Sequence, residues 1–171
     1  MNNMQVYPVK AFRDNYIWTI NNETHAVVVD PGDSKPVIDF LRSKKLTLIA
    51  ILITHHHPDH IGGIKNLLDQ YDIPVYGPET EAIPGISHKL VEGDLVRLDQ
   101  LSLTFKVLDI PGHTAGHIAY FDHQRLFCGD TLFSCGCGRI FEGSPPQMFR
   151  SIEKLTNLPD LTEVYCTHEY T

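Results

Sequence analysis

The chain has 171 residues, 42% of them hydrophobic and 20% charged, with a formal net charge of −7 at pH 7. That length suits one domain with a sizeable core, and no apolar run approaches the roughly 20 residues that a membrane-spanning helix needs. An acidic balance without a basic cluster argues against nucleic acid, so neither a nucleic-acid nor a membrane partner is expected.

The N-terminal MNNMQVYPVK lacks the apolar region of a signal peptide, which predicts a cytoplasmic protein with reduced thiols at Cys128, Cys135, Cys137 and Cys166. MQVYPV, YIWTI and AVVVD read as strands, the last closed by Pro31-Gly32. SKPVIDFLRSKK places Val37, Ile38 and Leu41 at helical spacing, with Ser34 as the candidate N-cap. LTLIAILIT is a continuous apolar run of strand length, the pattern of a strand buried on both faces. IGGIKNLLDQY repeats Ile61, Ile64, Leu67 and Leu68 on one helical face, and IPVYG is another short strand. Further strands follow in LVRLDQLSLTFKVLDIPG, HIAYFD and RLFCGD. Ser144 then precedes Pro145 and Pro146 as the N-cap of a helix over PPQMFRSIEKLTNL, ended by Pro159, and EVYCT is the final strand. Strand groups each followed by a helix, in two similar halves, predict a layered α/β domain with helices outside.

Ten histidines are the unusual feature of the composition, and four of them fall in THHHPDHIGG (54–63). In an extended segment alternate side chains share a face, so His55 and His57 can meet one metal ion while His56 points elsewhere. Asp59 and His60 come where the chain turns into a helix and can face a second ion, with Pro58 restricting the bend. His55, His113, Asp130 and His168 each follow directly on a predicted strand, and strand-end loops of a sheet gather on one rim. The candidate sets are therefore His55, His57 and His113 for one ion, and Asp59, His60 and His168 for another. Asp130, with two carboxylate oxygens, can bridge them. Imidazole and carboxylate donors suit zinc and are also compatible with iron or manganese. Room for a shared water distinguishes such a site from a closed structural one.

These segments resemble the metallo-β-lactamase superfamily. DPGD (30–33), THHHPDH (54–60), PGHTAGH (111–117), FCGDTLFSCGCGR (127–139) and THEYT (167–171) resemble, more narrowly, its glyoxalase II family. The resemblance implies a four-layer αββα sandwich and the same ligand sets, with Asp130 shared by both ions. It implies Asp30 and Cys137 as supporting residues behind the ligands, and Arg139, Phe141 and Tyr170 as lining the glutathione site. The implied reaction is hydrolysis of S-D-lactoylglutathione to D-lactate and glutathione, as in methylglyoxal detoxification. A hydroxide held between two ions, most suitably zinc, would be the attacking group, placed by ligands including Asp59 and Asp130. No serine nucleophile is needed, and no G-x-S-x-G occurs.

The family continues into a helical C-terminal domain that supplies basic residues. The chain is accordingly expected to be one catalytic domain over 1–171 without that domain, monomeric, acting on a small glutathione thioester with a raised KM. The competing enzyme reading is a one-iron persulfide dioxygenase of the same superfamily, which shares H-x-H-x-D-H and a GCGR-like segment. A β-lactamase would leave the glutathione-site segments unexplained. The non-enzymatic alternative is a truncated metal-binding scaffold.

Overall fold

Alternation along the central strands decides what is buried where. In the computed structural model, which describes residues 4–170, Val27 and Val29 turn to one face of their strand and Ala26 and Val28 to the other, all buried. Thr171, the last residue of THEYT, lies outside the described residues.

The first half forms β1 (Gln5–Ala11), β2 (Asn15–Asn21), β3 (His25–Val29), α1 (Ser34–Lys44), β4 (Thr47–Leu52), α2 (Pro58–Ile61), α3 (Ile64–Leu68), β5 (Val75–Pro78) and β6 (His88–Leu90). The second half contributes β7 (Leu95–Leu98), β8 (Leu103–Asp109), β9 (Ile118–Phe121), β10 (Arg125–Gly129), β11 (Leu132–Phe133), β12 (Gly136–Cys137), α4 (Pro145–Thr156) and β13 (Glu163–Cys166). Six strands pair in the order β1-β2-β3-β4-β5-β6, five pair as β13-β10-β9-β8-β7, and β11 and β12 form a separate hairpin. Parallel neighbours need crossovers, which α1 supplies between β3 and β4, α2 and α3 between β4 and β5, and α4 between β10 and β13.

Those crossovers place the helices outside. Val37 and Leu41 of α1 and Ile64 and Leu67 of α3 pack with Val28 and Ile51 on the outer face of the first sheet. Leu155 of α4 packs with Leu108, Ala119 and Leu126 on the outer face of the second. Between the sheets lie Val27, Leu52, Phe105, Val107, Tyr120 and Phe127. Removing each large side chain from water is worth roughly 1.5–3 kcal/mol, so this inner layer is the main adhesive of the sandwich. The Tyr120 hydroxyl is satisfied there by the Ile53 carbonyl at 2.8 Å. The arrangement is the expected αββα sandwich.

Two local expectations change. Ser34 is the first helical residue rather than the cap; Asp33, extended at φ −127°, accepts the Lys35 N–H through its carboxylate. The helix expected over IGGIKNLLDQY breaks into α2 and α3. A Cβ on Gly62 would meet the Gly32 carbonyl at 2.6 Å, and the Gly63 N–H bonds Pro31, so the glycine pair lies flat against the DPGD loop. Ser144 does cap α4, its N–H bonded by the Gln147 side chain at 2.9 Å. Strand β6 and the β11–β12 hairpin add to the elements that the sequence pattern predicts.

Candidate metal centre

The centre begins where β4 runs out. The Thr54 carbonyl accepts the Ile118 N–H at 3.0 Å, which ties the first sheet's rim to the second. Asp30, at the end of β3 with φ 52°, accepts both the Thr54 N–H at 2.8 Å and the Thr54 hydroxyl at 2.7 Å. The hydroxyl proton is thereby committed, so Thr54 Oγ1 accepts from His55 Nδ1 at 2.9 Å. That fixes the His55 tautomer and leaves its Nε2 lone pair facing inward.

The same logic applies around the site. His113 Nδ1 donates to the Arg139 carbonyl at 2.7 Å, and His60 Nδ1 donates to Asp30 at 3.1 Å. Each ring therefore presents Nε2 to the centre. His55 Nε2 and His113 Nε2 lie 3.2 and 3.0 Å from His57 Nδ1, and a proton on His57 can serve only one of them. Nearby, Asp59 Oδ2 lies 3.5 Å from His60 Nε2 and 3.4 Å from His168 Nε2. Asp130 reaches both groups: Oδ2 is 3.5 Å from His113 Nε2 and 3.2 Å from His168 Nε2, while Oδ1 is 3.5 Å from His60 Nε2.

These separations test whether metal ions fit. His60 Nε2 and Asp130 Oδ1 are buried with no hydrogen-bond partner, among the described residues. Such atoms cost about 1–3 kcal/mol each when left unpaired. Converging lone pairs with too few protons between them form a hole that cations fill. Two groups of three donors, His55, His57, His113 and Asp59, His60, His168, each have their donor atoms within 4.8 Å of one another. The residues fit two ions, and Asp130 stands between the two groups.

Burial and charge act differently on the rings. Burial pushes His55 well below the usual histidine range, and neighbouring rings push it further; burial also lowers His57 and His113. For His60 burial works downward, but the nearby carboxylates of Asp130 and Asp30 outweigh it and lift it to about 10. His168 is raised by Asp130 and Asp14 against the same opposing burial. Asp130 is held far below the carboxylate range: His168 and His60 overcome its own burial.

His117 stacks on His55 at 4.6 Å and accepts the Asp130 N–H through Nε2 at 3.2 Å. Burial drives it down to about 3, so it is a neutral support. A Cβ on Gly138 would strike the Asp130 carbonyl, so the segment beyond the hairpin approaches Asp130 as only glycine permits.

A cleft of about 510 Å³ opens over the donors, lined by His57, Asp59, His113, Asp130, Phe133 and Arg139 together with Cys137, Phe141 and Tyr170. The Arg139 guanidinium lies 4.9 Å from the Phe141 ring centre, and the Tyr170 ring stacks parallel on His168 at 5.0 Å. Cys137 is exposed on this wall rather than buried behind a ligand, because the β11–β12 hairpin holds it outward. Asp30, by contrast, is buried behind the donor cluster, bonded to His60 and Thr54. A groove of about 570 Å³ beside α2 and α3 is larger, but Ile61, Ile64 and Leu68 line it and no donor cluster faces it.

His56, which strand alternation turns away from His55 and His57, has partners of its own. Its Nδ1 lies 3.0 Å from Glu81 and its Nε2 3.2 Å from Glu142, so it links two carboxylates. Glu81, Glu142, Thr54 and Phe133 carried no local signal, since each acquires its role through a partner distant in sequence.

Residues 12–168 match the sequence profile of the Metallo-beta-lactamase superfamily, whose members bind divalent metal ions. The curated relative named Hydroxyacylglutathione hydrolase from Nitrosomonas europaea is 61% identical over 168 residues, 98% of this chain and 64% of its own length. The chain thus spans about two thirds of the length of the curated relatives it matches, 64% and 66% for the two Nitrosomonas proteins. Among solved structures, ETHE1 from Myxococcus xanthus has a TM-score of 0.84 at 33% identity, covering 98% of this chain and 76% of that one. TTHA1623, solved in a di-iron-bound form, has a TM-score of 0.77 at 32% identity, with 96% and 92% covered. By the span of the profile match and by its fold, the chain belongs to the metallo-β-lactamase superfamily.

Proposed function

We propose that the chain is the catalytic domain of a two-metal thioester hydrolase that cleaves S-2-hydroxyacylglutathiones such as S-D-lactoylglutathione. The observation that carries this reading is the pair of complete donor sets meeting at one shared carboxylate, at the floor of an open cleft. The name of the Nitrosomonas europaea relative supports the substrate class. Zinc is the first choice of metal on donor chemistry.

His55, His57 and His113 would hold one ion, Asp59, His60 and His168 the other, and Asp130 both. When bound, such ions supply Lewis acidity and water acidified toward neutrality. Asp30 and Thr54 hold His55 and His60 in the tautomers that offer Nε2. Arg139, seated on the cleft wall, offers a cation to an anionic peptide thioester. Phe141 and Tyr170 give that substrate apolar faces. A thiolate whose conjugate acid resembles cysteine, near pKa 8.5, leaves without a strong general acid, so none is required of the protein.

The test is turnover of S-D-lactoylglutathione by the zinc-loaded chain, followed by chelation and reloading. Thioester cleavage that disappears on chelation and returns with zinc supports the reading. Oxygen consumption with glutathione persulfide and no thioester cleavage would replace it with the dioxygenase. Two bound ions with neither activity would leave a metal-binding scaffold. The complete second donor set favours the hydrolase over a one-ion enzyme.

A further inference from the structure

The turn between β1 and β2 is distant in sequence from the rest of the centre, yet it touches two of its residues. Asp14 Oδ1 lies 3.0 Å from His168 Nδ1, across 154 positions of chain. Asn15 Nδ2 donates to Asp59 Oδ2 at 2.9 Å and approaches the Asp59 carbonyl at 3.4 Å. Asn15 itself is buried. Among the described residues, neither side chain bonds to His55, His57 or His113.

The backbone around this contact is equally well anchored. Asn15 and His168 form an antiparallel bridge, Tyr16 N–H donates to Thr167 at 2.7 Å, and Glu169 N–H donates to Asp14 at 2.9 Å. The Tyr16 hydroxyl donates to Glu169. The segment carrying His168 leaves the second sheet at β13 and is stitched to the first sheet by this turn.

We propose that Asp14 and Asn15 are the positioning residues of the second ion alone. Asp14 accepts the Nδ1 proton of His168, which leaves Nε2 free and aims it at Asp59 and Asp130. Asn15 fixes the Asp59 carboxylate by one of its oxygens. Asp59 is otherwise half-exposed at the start of the short α2 and would be free to swing toward solvent. A positioned carboxylate and a positioned imidazole together make the second donor set; removing both restraints lets two of its three ligands wander.

This inference rests on the two-ion reading, and the experiment separates the two. The metal-free chain is titrated with zinc alone, with stoichiometry and stepwise affinities read by calorimetry, for wild type, Asp14→Ala, Asn15→Ala, the double variant and Asp14→Asn. Wild type is expected to take two equivalents. The double variant should keep the first equivalent at wild-type affinity and bind the second about 10–100-fold more weakly, the loss typical for outer partners of metal ligands. Asp14→Asn should recover most of the loss, because an amide oxygen still accepts the Nδ1 proton. If the double variant does not fold, the single alanine variants carry the same comparison.

Fewer than two equivalents in wild type would overturn the two-ion reading and this inference with it. Two equivalents in wild type and an unchanged second step in the variants would overturn the inference alone. Equal weakening of both steps would also overturn it, since that is what a merely structural role produces.

Discussion

The two histidine groups share Asp130 and lie a few ångströms apart, yet their surroundings prepare them in opposite ways. The first consists of three imidazoles, and burial lowers all three, so they are neutral at pH 7 and ready to coordinate. The second contains a carboxylate and two imidazoles whose proton affinity Asp130, with Asp30 and Asp14, raises against their burial. One half of the centre is preorganised by desolvation, the other by charge. The difference teaches that a shared carboxylate does not make two sites equivalent: at the second, His60 must give up a proton before it accepts a metal ion.

The largest expected effect comes from removing the residue common to both. Asp130→Ala should abolish binding of the second ion, weaken the first, and lower thioester turnover by more than about a hundredfold, beyond the roughly 10–100-fold lost with an outer partner. Asp59→Ala, which touches only the second group, should leave the first equivalent of zinc in place. Metal content by elemental analysis on both variants decides this. Equal depletion by Asp59→Ala would mean that the groups act as one unit, and the contrast drawn above would fail.

Next in size is the pH dependence of zinc uptake. His60, lifted to about 10, carries a proton at pH 7 that zinc must displace, and Asp130 and Asp14 raise the proton affinity of His168 as well. The second equivalent should therefore bind more tightly as pH rises from 6 to 8, by about tenfold per unit for each proton released. The first equivalent should change much less. Calorimetry in buffers of different ionisation enthalpy counts the protons; equal release in the two steps would break the comparison.

Stability of the metal-free chain gives a third and smaller signal with two opposing limbs. His60 has a raised folded pKa, so its contribution is fully present below about 6.5 and is lost as pH rises toward about 10. His117 has a folded pKa depressed to about 3, so it must stay neutral, and the stability it allows is lost as pH falls from about 6.5 toward 3. Thermal midpoints of the chelated protein should peak between these limbs, near pH 6.5. Loading with zinc should remove the alkaline limb, since metal takes the place of the His60 proton. A zinc-loaded protein that still destabilises between pH 7 and 9 in the same way would count against His60 as a ligand.

The candidate donor cluster was legible because its order is written locally. H-x-H-x-D-H follows a buried strand, and His113, Asp130 and His168 follow β8, β10 and β13 within a few residues, so the rule that strand ends share a rim was sufficient. The sandwich was legible for the same reason, through period-two burial in strands such as β7 and β8. What sequence did not disclose are partners that exist only across the fold. Asp14 is 154 positions from His168, and Glu81 is 25 from His56. An acid in a turn looks like a turn former until tertiary structure supplies the imidazole. The β11–β12 hairpin was missed because two-residue strands have no period to read, and with it went the outward placement of Cys137.

His56 offers the finest test of the contrast. Where Asp14 and Asn15 touch donors of the second group, His56 braces only the loops around the first. Its Glu81 partner also accepts the Gly116 N–H at 3.1 Å and the Thr114 hydroxyl, and its Glu142 partner accepts the Ala115 N–H at 2.8 Å. The brace thus joins the 54–60 loop to the turn that carries His113. The His56 side chain is 34% exposed and Glu142 39%, against 3% for Glu81, so solvent screens one arm and spares the other. His56→Ala should cost about 1 kcal/mol, a drop of roughly 2–4 °C in Tm for a chain of this size. Both zinc equivalents should be retained, because Glu81 keeps its other donors and His57 and His113 keep their own anchors. If His56→Ala instead loses the first equivalent, the first group owes its readiness to this brace as well as to burial.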